Sequence, residues 1–146
     1  MDGPGDSYGR AAGGGGAPEG GVYEWFHRAT DLLERGDAAP AVVLLERASA
    51  AEPRSASVLE ALGRAQYQAR RRDEAAATFG RLVEMTPDAD YAHFGLGLAL
   101  ARLGRFEDAA EHLAMAAAMR PDRAEYVDNL RQVRATLRAR EAGQGA

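Results

Sequence analysis

The sequence contains no cysteine, which removes disulfides, thiolate metal sites and cysteine nucleophiles together. It contains no lysine either: all eighteen basic residues are arginine, so an amine nucleophile is also excluded. No apolar run is long enough to span a bilayer or to form the core of a signal peptide, and a cytoplasmic location with no membrane partner is the expectation. The phosphate-cradling GxxxxGK(S/T) and the dinucleotide fingerprint GxGxxG are both missing. A surplus of one charge is missing too: 18 basic residues face 22 acidic ones, and a net charge of −4 gives no general pull toward nucleic acid. These absences point away from catalysis, so the expectation is a non-enzymatic protein with no cofactor.

The composition that remains, 46% hydrophobic and 27% charged over 146 residues, is that of a soluble globular chain of one compact domain. Abundant alanine, glycine and arginine suggest a GC-rich, bacterial genome. Residues 1–21 hold nine glycines and two prolines without an apolar run. Ordering them costs chain entropy with almost no burial in return, so a disordered tail is expected there.

The rest is periodic. Pro53, Pro87 and Pro121 stand 34 residues apart and define frames 22–55, 56–89 and 90–123. Numbered within each frame, position 4 holds Trp25, Leu59 and His93; position 7 holds Arg28, Leu62 and Leu96; position 8 holds Ala29, Gly63 and Gly97; position 11 holds Leu32, Gln66 and Leu100. Position 20 is alanine each time, at Ala41, Ala75 and Ala109; position 24 holds Leu45, Phe79 and Leu113; position 27 holds Ala48, Leu82 and Ala116. Apolar residues at separations of three and four predict two helices per frame, joined near Gly36, Arg70 and Gly104. Small residues at positions 8 and 20 let the two backbones approach closely. Proline at position 32 ends the second helix, whereas Pro40 falls in a first turn where its missing N–H costs little. Residues 124–141 continue in register with Val127, Leu130, Val133 and Leu137 on one stripe, which predicts a capping helix, with 142–146 as a disordered end. The arginines of that helix are accompanied by Glu125, Asp128 and Glu141 and read as a solvated face.

The three histidines, His27, His93 and His112, show no metal-ligand spacing, and no metal is expected. His93 at position 4 reads as a half-buried core residue and His27 as more exposed. The arginine run at 70–72 reads as a solvated turn, and GLGLA at 95–99 as a site of close helix packing.

The framework of Trp or Leu at 4, Leu-Gly at 7 and 8, Ala at 20 and 27 and Pro at 32 resembles the tetratricopeptide repeat (TPR), over 102 of the 146 residues. Arg28, Gln66, His93 and Arg70 depart from the usual residues at their places. The resemblance implies an all-α protein of three stacked helical hairpins in a right-handed α-solenoid plus the cap. It also implies that a protein or peptide partner binds a concave groove lined by positions 2, 5, 9 and 12 of the first helices. Those positions and position 6 place Tyr23, Phe26, His27 and Thr30 there from frame one, Glu60, Arg64 and Tyr67 from frame two, and Tyr91, Phe94 and Leu98 from frame three. Leu33, Leu98 and Phe94 are expected to pack partly against neighbouring helices, leaving Tyr23, Phe26 and Tyr91 as the principal contacts. The chaperone-binding TPR subgroup grips a terminal carboxylate with Lys, Asn and Arg at places that here hold Phe26, Thr30, Ala61, Tyr91 and Gly95, so a carboxylate-clamp partner is not expected. The alternative is a self-assembling protein, for instance a homodimer, joined through its aromatic face and its last helix.

Overall fold

The computed structural model describes residues 20–145, and all regular structure among them is helical. Residues 1–19 of the expected glycine-rich tail lie outside the described residues. Helices α1 (Val22–Glu34), α2 (Ala38–Ala51), α3 (Ala56–Gln68), α4 (Arg72–Met85), α5 (Asp90–Arg102), α6 (Phe106–Met119) and α7 (Ala124–Gly145) follow one another. The first six alternate between 13 and 14 residues, as a 34-residue period divided by a short turn and a proline requires.

The punctuation is local chemistry. Helices α2, α4 and α6 each end two residues before Pro53, Pro87 or Pro121. Their C-cap residues Glu52, Thr86 and Arg120 share one non-helical geometry, with φ of −134°, −136° and −134° and ψ of 76°, 78° and 75°. A residue before proline is excluded from the helical region because the ring's Cδ crowds it, so the same stop recurs three times. The next helix gains its own start at Ser55, whose Oγ accepts from the Val58 N–H at 3.3 Å. Within each hairpin the turn passes through a left-handed residue: Gly36 at φ 84°, Arg70 at φ 66° and Gly104 at φ 80°. Arginine adopts the same backbone as the two glycines although its Cβ crowds the following carbonyl there.

One compact domain is the expectation from length, but the described residues divide into two compact units, the first ending at Ala69 and the second beginning at Arg70. In a repeat architecture each repeat packs only on its neighbours. In the first unit α2 packs against both α1 and α3. Ala29, Leu33, Ala41, Val42, Leu45, Leu62 and Ala65 form its core, and Trp25, Phe26 and Leu32 pack half-buried against it.

In the second unit α5 packs on α4 and α6, and α6 packs on α7. Close approach is enforced by glycine. A Cβ on Gly97 would stand 2.7 Å from the Leu113 Cγ and 3.3 Å from the Ala109 carbonyl oxygen, and one on Gly95 would collide with the Phe79 ring. The GLGLA run is thus a contact surface on two sides of α5, and Ala109 and Ala116 on α6 are fully buried opposite it. Helix α7 closes this unit with Tyr126, Leu130 and Val133 buried. It continues to Gly145, past the end expected at residue 141. The Arg140 guanidinium lies 4.7 Å from the centre of the Phe106 ring, which ties the late turns of α7 to the start of α6.

Candidate functional site

Helical spacing places Tyr23, Phe26, His27 and Thr30 on one side of α1, and the structure separates them by exposure. Tyr23 is 74% exposed and His27 is exposed beside it. Their rings meet edge to face with centroids 4.3 Å apart, and His27 meets the half-buried Phe26 in the same way at 6.1 Å. Phe26 therefore serves two surfaces, resting on the core of the first unit while its edge supports His27. Thr30 is half-buried, and its hydroxyl donates to the Phe26 carbonyl at 2.8 Å. Tyr23, Glu24, His27 and Arg28 line an open depression of about 440 Å³. It offers an aromatic wall, a carboxylate and a guanidinium within two turns of helix.

On α3 of the same unit Arg64 is exposed, while Glu60 and Tyr67 are half-buried. Ala61, at a place where a carboxylate clamp needs a long polar side chain, is buried. On α5 in the second unit Tyr91, Phe94 and Leu98 are all half-buried. The Phe94 ring lies 4.5 Å from that of Tyr126 on α7, so this residue also supports the last helix.

Two polar contacts in the second unit join residues far apart in sequence. His93, 4% exposed, faces His112 with Nδ1 atoms 3.1 Å apart and near-parallel rings. The His93 Nε2 lies 2.8 Å from the Pro87 carbonyl oxygen, an acceptor only, so Nε2 carries the proton and donates. The His93 Nδ1 is then the acceptor for the His112 Nδ1–H. Burial, and after it the electrostatic interaction with His93, lower the His112 pKa below the usual 6.5, against an opposing pull from Glu111 and Asp108. Each ring nitrogen facing the other is used within the pair, and no group of three or more metal-ligating side chains exists among the described residues. The second contact is Tyr126, whose hydroxyl donates to Asp90 Oδ2 at 2.5 Å. Burial and that hydrogen bond push its pKa up to about 12. Separations of 19 and 36 residues hide both contacts from local pattern reading. The signal available was positional: His93 and His112 fall at positions 4 and 23 of one frame, on helices that must face each other.

A family model of the tetratricopeptide repeat matches residues 26–79 and 60–124. No curated protein matches the chain. Among solved structures, the first TPR domain of human RPAP3 superposes with a TM-score of 0.77 at 16% identity, covering 83% of this chain and 95% of that one. MamA (MSR-1) gives a TM-score of 0.72 at 26% identity, covering 83% of this chain and 70% of that one. YrrB, described as a TPR protein with an unusual peptide-binding site, gives 0.71 at 21% identity over 75% of this chain and 56% of its own. With the repeat model matching most of the chain and an all-α fold of paired helices in the same register, the chain belongs to the tetratricopeptide repeat family.

Proposed function

We propose that this protein is a non-enzymatic interaction adaptor that takes a peptide or protein segment against the aromatic side of its first helices, with the α1 surface of Tyr23 and His27 as the principal contact. The observation that carries the reading is Tyr23: a tyrosine 74% exposed, held edge-on by a histidine beside an open depression, leaves most of its aromatic area in water. Aromatic anchors of this kind dominate interface energies because they bury large rigid surface at small entropic cost. The first TPR of RPAP3 is described as bound to an HSP90 peptide and YrrB as having a peptide-binding site, which supports a peptide as the ligand class. The clamp positions filled here by Phe26, Thr30, Ala61, Tyr91 and Gly95 offer no cation to a terminal carboxylate, so the partner is an internal or apolar segment. We place the protein in the cytoplasm; among the described residues no helix is long and apolar enough to cross a membrane.

A photo-crosslinking residue at position 23 tests this reading. Crosslinks to a discrete partner support it, and crosslinking at position 23 no greater than at the exposed control Glu46 contradicts it.

A second reading, self-association, is favoured by Met115 and Met119, which stand one turn apart on α6 and are 48% and 38% exposed. Light scattering over a range of concentrations separates the two: a monomer throughout supports the adaptor, and a concentration-dependent dimer supports assembly.

A further inference from the structure

Helix α7 carries a second surface that the aromatic side of α1 does not use. Val127, Leu130, Arg131, Arg134 and Arg138 line a shallow depression of about 290 Å³. Their spacing of three, four and seven residues places them on one side of the helix. In the register of the frames, Val127, Leu130, Arg131 and Arg134 occupy positions 4, 7, 8 and 11. In α5 those positions are His93, Leu96, Gly97 and Leu100, every one buried by the following helix α6. On α7 the same stripe has no helix over it among the described residues, and it differs in chemistry. The close-approach glycine is replaced by Arg131, and Arg134 stands where Leu100 does in α5.

The floor is apolar and the walls are cationic. Leu130 is buried and Val127 half-buried, whereas the three arginines are exposed. Arg131 is held by Asp128 at 3.0 Å, while Arg134 and Arg138 have no ion-pair partner among the described residues. From 129 to 140 the helix has four arginines and no acidic residue. A depression at the lower edge of the roughly 300–1,000 Å³ range of small-molecule pockets suits anchoring side chains more than an enclosed ligand.

We propose that this stripe of α7 docks an acidic amphipathic helix of a partner protein, its apolar residues against Val127 and Leu130 and its carboxylates toward Arg134 and Arg138. The stripe occupies the positions that α5 gives to α6, and the charge is complementary to glutamate or aspartate flanking an apolar stripe. Nucleic acid fits less well, because the floor between the arginines is aliphatic and the chain as a whole is acidic.

The test uses the full chain and a labelled synthetic helix with leucines spaced three and four apart and glutamates beside them. Two further probes are the same helix with glutamine for glutamate and a single-stranded DNA oligonucleotide. Fluorescence anisotropy is expected to show saturable binding of the glutamate helix, weakened at least about tenfold by R134E/R138E and by the glutamine substitution, and weakened again by added salt. Both arginines are exposed, so circular dichroism should be unchanged in the variant; if it is not, R134Q/R138Q replaces it. Amide and methyl NMR shifts on titration should centre on Val127 and Leu130. The proposal is overturned if the glutamate helix does not bind, if it binds wild type and variant alike, or if the oligonucleotide binds more tightly. A dimer that sedimentation shows R134E/R138E to dissociate overturns it in favour of a second copy of this chain.

Discussion

His93 donates from Nε2 to the Pro87 carbonyl and presents its bare Nδ1 to His112, 3.1 Å away, so one imidazole orients the other across the α5 and α6 interface. The pair holds one shared proton between facing nitrogens, and a proton on each of them breaks it. A histidine whose folded pKa lies below its unfolded value binds fewer protons when folded. The stability from this contact is therefore complete above about pH 6.5 and declines as pH falls from there toward the lowered folded value of His112. Denaturant titrations should show a loss of about 1 kcal/mol, the worth of one hydrogen bond, across that acid window. His112→Leu should flatten the pH dependence; an unchanged slope would exclude the pair as its source.

Gly97 and Gly80 should respond oppositely to alanine. Glycine to alanine inside a helix ordinarily stabilises by roughly 0.5–1 kcal/mol. A Cβ at Gly80 meets nothing within 4 Å, so Gly80→Ala should gain that amount. At Gly97 the new methyl meets the fully buried Leu113 at 2.7 Å, and overpacking should cost about 1–3 kcal/mol. Urea midpoints of the two variants moving in the same direction would refute this packing of α5 on α6.

Arg70 is the left-handed residue of a turn that elsewhere uses Gly36 and Gly104. Arg70→Gly removes the Cβ clash at φ 66° and should raise stability by about 1 kcal/mol, the cost of a left-handed non-glycine residue less the entropy glycine adds to the unfolded chain. Differential scanning calorimetry checks it, and a lowered melting temperature would show that the Arg70 side chain contributes more than its backbone costs.

Tyr126 joins α7 to α5 through Asp90 and sits against Phe94. Tyr126→Phe should cost about 1 kcal/mol by deleting one hydrogen bond, and Tyr126→Ala about 3–5 kcal/mol by adding a cavity. Because its pKa is raised from 10.0 to about 12, the neutral phenol is the form the fold prefers. Its contribution is full below pH 10.0 and is lost as pH rises toward about 12. An alkaline unfolding midpoint identical in wild type and Tyr126→Phe would contradict this.

The fold was readable because its determinants are periodic: three prolines, three alanines at position 20 and a small residue at each position 8 are enough to place six helices. The tie of Arg140 to Phe106, in the late turns of α7, depends on two side chains 34 residues apart and leaves no local mark. The candidate site was readable only as a stripe. Position 5 on α1 faces solvent and core at once, so spacing did not reveal that Phe26 rests on the core while Tyr23 stands clear of it. The pairing of His93 with His112 follows from facing two helices of one frame, a step that inspection of each helix alone does not take.

The adaptor reading is tested most directly by titrating a segment recovered by crosslinking at position 23 against wild type and Tyr23→Ala, with melting temperatures measured in parallel. Tyr23 is 74% exposed, so the melting temperature should be unchanged. The account predicts that Tyr23→Ala weakens binding by about tenfold or more, with little dependence on salt. Equal affinity of the two proteins for that segment would contradict it.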